Sequence, residues 1–253
     1  MRRAFGGLHE RGGRTLAAMQ PTKPAQPKKP VLPHEPRWHA SVAVVFALAL
    51  YMALPDRLTI GPLWVAPALV LGLLVPLSII APRRHRETRR MRFASILLIA
   101  LVNFFNIASV FLLIHGFLHP SKTIVQTASD LLLYGMEIWL TNILVFALWF
   151  WELDGGGPDT RAHATAASEV READFLFPQM GLMVAGEQPG FMLPTWKPMF
   201  LDYLYVAFTN STAFSPADTM PLSRLSKMLM LLESFISLVT IAIVIARAIS
   251  LIQ

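Results

Sequence analysis

The chain contains no cysteine, so disulfides, thiol catalysis and thiolate metal sites are excluded, and its redox compartment cannot be read. Charge is scarce as well. Only 15% of residues are charged against 54% hydrophobic, mean hydropathy is +0.50, and the apolar residues lie in runs instead of at amphipathic spacing. That combination describes an integral membrane protein. No His pair, Ser-His-Asp set or metal-ligand spacing occurs. The run Gly155-Gly156-Gly157-Pro158 lacks the Lys and the Ser or Thr of a phosphate-binding loop. Neither an enzymatic activity nor a cofactor is expected on these grounds. The net charge of +6 comes from Lys and Arg beside apolar segments, where membrane orientation explains them better than nucleic acid does.

The basic residues gather in two places. Residues 1–38 form a disordered, Pro-rich cytoplasmic tail, in which Met1 to Arg37 carries eight Lys or Arg against two Glu and no signal-peptide core. Pro21, Pro24, Pro27, Pro30, Pro33 and Pro36 recur at the period of a polyproline II helix. The second place is Arg83 to Arg92, with six arginines in ten residues. Both are expected on the cytoplasmic face of an inner (plasma) membrane, the cell being bacterial in this reading.

Four apolar runs fill residues 39–151: about Ala40 to Leu54, Gly61 to Ala81 with three prolines, Phe93 to Phe117 and Thr123 to Trp151. Within the third lie Asn103, Asn106 and Ser109. The fourth carries Asp130, Tyr134, Glu137 and Thr141 on one helical face. Carboxyl groups inside a span must face protein or water. Either Asp130 and Glu137 therefore belong to a cation or proton path, or the whole stripe ties the fourth helix to Asn103 and Asn106 of the third. Residues 152–198 form a polar, interfacial loop in which Phe175 to Pro178 and Phe191 to Pro194 would lie on the membrane face or fold back over the bundle.

Residues 199–253 are organised differently. A short aromatic helix, Leu201 to Thr212, leads into a kink rich in Thr, Asn, Ser, Pro and Asp, and a long apolar helix follows. The short helix spans only about 18 Å, too little for a hydrocarbon core of about 30 Å. The order of short helix, Thr212, five residues, Asp218, two residues, Pro221 and long helix resembles the pore module of potassium channels. That resemblance implies a pore helix, a filter loop and an inner helix, a homo-oligomer surrounding the pathway, and a monovalent cation as its ligand. Ser215, Pro216 and Ala217 stand where that family has Gly, Tyr and Gly, so its carbonyl filter is not expected. Further along, Glu233, Ser237 and Thr240 share one face, which would line a central cavity or pack against the fourth span.

Four spans starting in the cytoplasm return the chain there at Trp151, whereas a potassium-channel loop enters from outside. Three arrangements reconcile this. In the favoured one, Met199 to Ala217 crosses and there are six spans. In the second, the segment is re-entrant from the cytoplasmic face, giving five. In the third, the short first segment does not cross. The expected fold is thus all-α, a polytopic helical membrane protein of five to six spans with a pore-like C-terminal hairpin. The candidate polar pathway comprises Thr209, Asn210, Ser211, Thr212, Ser215, Asp218, Asp130, Glu137 and Glu233. The partners expected are the lipid bilayer and further copies of the chain. A non-conducting structural or accessory membrane protein is the alternative function.

Overall fold

A computed structural model describes residues 37–80, 89–119, 128–163, 173–185, 196–215 and 218–252. The tail prolines, Arg83 to Arg86, Phe191 to Pro194, Pro216 and Ala217 lie outside the described residues. All the described residues belong to one unit, Leu32–Gln253.

The fold is all-α, with eight helices among the described residues: α1 (Trp38–Ala53), α2 (Val65–Ile80), α3 (Arg89–Leu118), α4 (Ala128–Leu153), α5 (Pro158–His163), α6 (Pro178–Ala185), α7 (Phe200–Ala213) and α8 (Arg224–Ile252). Two-residue strands β1 (Phe175–Leu176) and β2 (Met220–Pro221) pair antiparallel. Three helices contain stretches long and apolar enough to cross a membrane: Arg89–Gly116, Leu132–Gly156 and Arg224–Ala246. α1 and α2 are shorter apolar helices of 16 residues each.

Local chemistry sets the boundaries. Pro55 forces Leu54 into extended backbone (ψ 144°), which ends α1. The second apolar run becomes helical only from Val65, because Gly61 takes a left-handed φ of 70° and the chain turns before it winds. α3 starts four residues before its apolar run, since Arg89 to Arg92 supply a polar first turn. α4 stops at Leu153. The next three glycines have φ values of 55°, 81° and 98°, and Pro158 opens α5 at a position where its missing N–H costs nothing.

The fourth helix is the hub. α4 packs against α1, α3, α7 and α8, and the innermost apolar side chains include Ile138, Val145, Phe146 and Phe150 of α4 and Tyr203 and Val206 of α7. α4 and α8 run antiparallel and close: Asn142 meets Ser237, and a methyl added at Gly135 would run into Val244 Cγ2. By contrast, α3 and α8 turn large apolar side chains outward, among them Phe104, Phe111, Leu231 and Phe235, each about 60% exposed. Large apolar side chains thus cover the outside as well as the core, and some polar groups, Asn106, Asn142 and Glu233 among them, are buried between the helices.

Candidate functional site

The starts of α7 and α8 are both fixed by hydrogen bonds to one end of the bundle. Arg37, before α1, sits 3.7 Å from Glu152 at the end of α4, and Arg92 of α3 donates to the carbonyl of Gly156. At this same end Asp154 is 1% exposed. Its Oδ1 accepts from the N–H groups of Asp174 (2.6 Å) and Phe175 (3.2 Å), and its Oδ2 accepts from the Tyr203 hydroxyl of α7 (2.5 Å). Arg161 donates from Nη1 to the carbonyls of Trp151 and Asp154, with its guanidinium 5.1 Å from the Tyr203 ring centre. Lys197 donates to the carbonyl of Arg161. Asp202, in the first turn of α7, accepts from the Met199 N–H at 2.7 Å. Burial pushes the Asp202 carboxyl up, and that hydrogen bond draws it partly back.

The start of α8 is held to the same place. The Leu222 N–H and the Ser226 hydroxyl both donate to the carbonyl of Asp174, and β2 pairs with β1. From Tyr203, α7 runs inward for seven residues, about 10 Å, to Asn210. From Ser226, α8 runs inward for seven residues to Glu233, and the two meet there: Asn210 Nδ2 donates to Glu233 Oε2 at 2.7 Å. α7 then stops. Phe214 adopts a left-handed conformation (φ 53°, ψ 31°), about half exposed, and by Met220 the chain is back at the level from which α7 set out. Six residues reach about 20 Å when extended, enough for the return. The short helix thus enters and leaves at one end.

Glu233 is fully buried (0% exposed). Besides Asn210, it accepts the Ser211 hydroxyl on Oε1 at 2.9 Å. Asn210 Nδ2 also donates to the carbonyl of Met230 (2.9 Å). On the other side of α8, Asn142 of α4 donates to the carbonyl of Glu233 (3.2 Å) and to Ser237 Oγ (3.0 Å), and its Oδ1 accepts from Asn106 Nδ2 of α3 (3.3 Å). One polar cluster therefore joins α3, α4, α7 and α8 at mid-bundle.

Of the residues anticipated from sequence, the structure brings together Asn210, Ser211 and Glu233 and separates the others. Thr209 and Thr212 spend their hydroxyls on carbonyls one turn back, those of Tyr205 and Phe208. Thr212, Ser215 and Asp218 are exposed. Glu233, Ser237 and Thr240 are each at most 1% exposed, so within one subunit that face packs against neighbouring helices and lines no open cavity. Asp130 and Glu137 lie on α4 nearer its other end, away from Glu233, where Arg57 stacks over Tyr134 at 5.6 Å. Of the stripe Asp130, Tyr134, Glu137 and Thr141, foreseen as a tie to Asn103 and Asn106, neither Glu137 nor Thr141 is hydrogen-bonded to either asparagine among the described residues. Thr141 bonds its own helix at Glu137, and Asn106 reaches Asn142 instead.

Asn142, Asp154, Arg161 and Tyr203 were not singled out by sequence. Asn142 had a signal, being a lone amide in an apolar run next to Thr141. Asp154 had only its place at the helix end. Phe175 and Phe177, foreseen either on the membrane face or folded back over the bundle, are 2% and 3% exposed and fold over the bundle end, with ring contacts to Tyr203. No protein-family model, no curated protein and no solved structure matches the chain.

Proposed function

We propose that the chain is a channel-like or transport-related protein of the inner membrane that crosses the bilayer five times, through α1, α2, α3, α4 and α8, with α7 as a re-entrant helix. The observation that carries this reading is that α7 enters the bundle and returns at the end where α4 finishes and α8 begins. α1 and α2, about 24 Å each, cross with help from flanking turns. The arginines before and at the start of α3 put this end in the cytoplasm. These observations favour the five-span arrangement over the six-span one.

In this reading the residues divide into two sets. Asn210, Ser211 and Glu233 hold α7 at its depth. Thr212 and Ser215 at the exposed tip, Thr209 behind them and Asp218 where the chain comes back to the bundle end form the polar pathway for a monovalent cation where several copies of the chain meet. Polar backbone at this depth needs protein or water around it, which a lone subunit in lipid does not supply.

The absence of native cysteine makes the topology testable. Single cysteines replacing Thr160 and Met220, both exposed, are labelled in intact cells with an impermeant reagent. Protection of both until the cells are permeabilised is the expected result. Protection of position 160 with labelling of position 220 would restore the six-span arrangement. For conduction, Asp218→Asn should alter cation flux into reconstituted vesicles. Flux no greater than in empty vesicles for either form would leave the second reading, a non-conducting structural or accessory protein. That second reading is favoured by one observation: the innermost polar residues of the hairpin are bonded to one another within the subunit.

A further inference from the structure

The orientation of each amide around Glu233 can be fixed by reasoning about acceptors. The carbonyl of Met230 can only accept, so the Asn210 atom facing it is Nδ2, and the same nitrogen faces Glu233 Oε2. Oε2 therefore accepts. Asn142 is fixed the same way, because its Nδ2 faces the carbonyl of Glu233, and it makes no bond to the carboxyl group. Only Oε1 is left, and its neighbour is the Ser211 hydroxyl at 2.9 Å, a group able either to donate or to accept.

Among the described residues no cation is paired with this carboxyl. The charged or titratable side chains described on the elements packed against α8 are Asp130, Glu137 and Glu152 of α4, Asp202, Tyr203 and Tyr205 of α7, Tyr134 of α4, and Arg89, Arg90, Arg92 and His115 of α3. α8 itself adds Arg224 and Lys227 near its start. Among the described residues none of these is paired or hydrogen-bonded with Glu233, whose side-chain partners are Asn210 and Ser211. An unpaired carboxylate taken wholly out of water is neutralised by a proton in preference to remaining charged.

We propose that Glu233 and Ser211 form a proton-binding site inside the hairpin: Oε1 carries the proton and donates it to Ser211 Oγ, while Oε2 accepts from Asn210. Ser211 then turns its own hydrogen to the carbonyl one turn back, as Thr209 and Thr212 do on the same helix. The site binds one proton without moving a heavy atom. Loss of that proton leaves a charge between α7 and α8 with only two neutral donors, so proton release and the seating of the short helix are linked. This inference stands whether or not the protein conducts, because it concerns a group buried within one subunit.

The test is infrared difference spectroscopy on the full-length protein in detergent at neutral pH. A protonated carboxyl gives a C=O stretching band distinct from that of carboxylates. The expected result is a band that resists exchange into heavy water, is lost in Glu233→Gln and shifts in Ser211→Ala. The same band in Glu233→Gln, or its loss in Glu137→Gln, would overturn the assignment. If Glu233→Gln does not fold, Ser211→Ala alone decides: an unshifted band, or none, overturns the proposal.

Discussion

Two of the buried carboxyl groups, Asp154 and Glu233, are held in opposite ways. Asp154, at the end of the bundle, is surrounded by donors belonging to fixed structure: two backbone N–H groups, a tyrosine hydroxyl, and an arginine whose guanidinium is bonded to the adjacent carbonyls. Glu233, at mid-bundle, has one amide and one serine hydroxyl. The first environment gives both carboxyl oxygens oriented donors, with a guanidinium close by. The second suits a neutral acid as well as a charged one, since the hydroxyl can reverse its role. Both hold α7, Asp154 through Tyr203 and Glu233 through Asn210 and Ser211. The short helix is pinned rigidly where it enters and by an adjustable contact where it ends.

That contrast can be broken first at Asp154. Asp154→Ala leaves two N–H groups and the Tyr203 hydroxyl without their acceptor and removes the charge that faces Arg161, and should cost about 3–5 kcal/mol, seen as a large fall in the thermal midpoint in detergent. Asp154→Asn keeps one acceptor oxygen and should recover only part of the loss. At Glu233 the ordering sharpens: Glu233→Ala opens a cavity and strands Asn210, at a cost of about 2–4 kcal/mol, while Glu233→Gln should stay within about 1 kcal/mol. Equal costs for Asp154→Asn and Glu233→Gln would erase the distinction between the two environments. Next in size is Gly135→Leu, which drives α4 against Val244 and should cost about 1–3 kcal/mol by overpacking. Asn142→Leu, which removes the link between α3 and α8, should cost about 1 kcal/mol in the same assay, as interhelical hydrogen bonds in membranes do. Smallest is Thr212→Ala. With its hydroxyl bonded only to its own helix, it should move the midpoint of the isolated subunit by no more than about 0.5 kcal/mol.

Helices were legible wherever one chemical signal sufficed. The apolar runs located α1, α3, α4 and α8 to within a few residues, and the aromatic stretch before the kink gave α7 to one residue at each end. The segment from Gly61 was misjudged because a run of hydrophobic residues with Pro62 reads the same whether it winds or turns. The site was half legible. A polar residue in a span announces that it needs a partner, and Asn210, Ser211 and Glu233 did so. Which partner it takes is a matter of helix rotation. On α4, Thr141 and Asn142 are adjacent in sequence but about 100° apart around the axis. One faces its own helix carbonyl and the α1–α3 side, and the other faces α8.

The sequence by itself determined the solvent, the helices and the inventory of polar groups that must be hidden, because hydropathy, proline and glycine act within a few residues of where they stand. Only the tertiary structure decided that α7 returns to the end it came from, and that its innermost polar residues close on Glu233 within the subunit while Thr212, Ser215 and Asp218 stay exposed. The physical reason is that depth and direction are set by contacts between residues far apart in the chain. Tyr203 finds Asp154 across 49 residues and Asn142 finds Glu233 across 91, and no local pattern specifies such pairs.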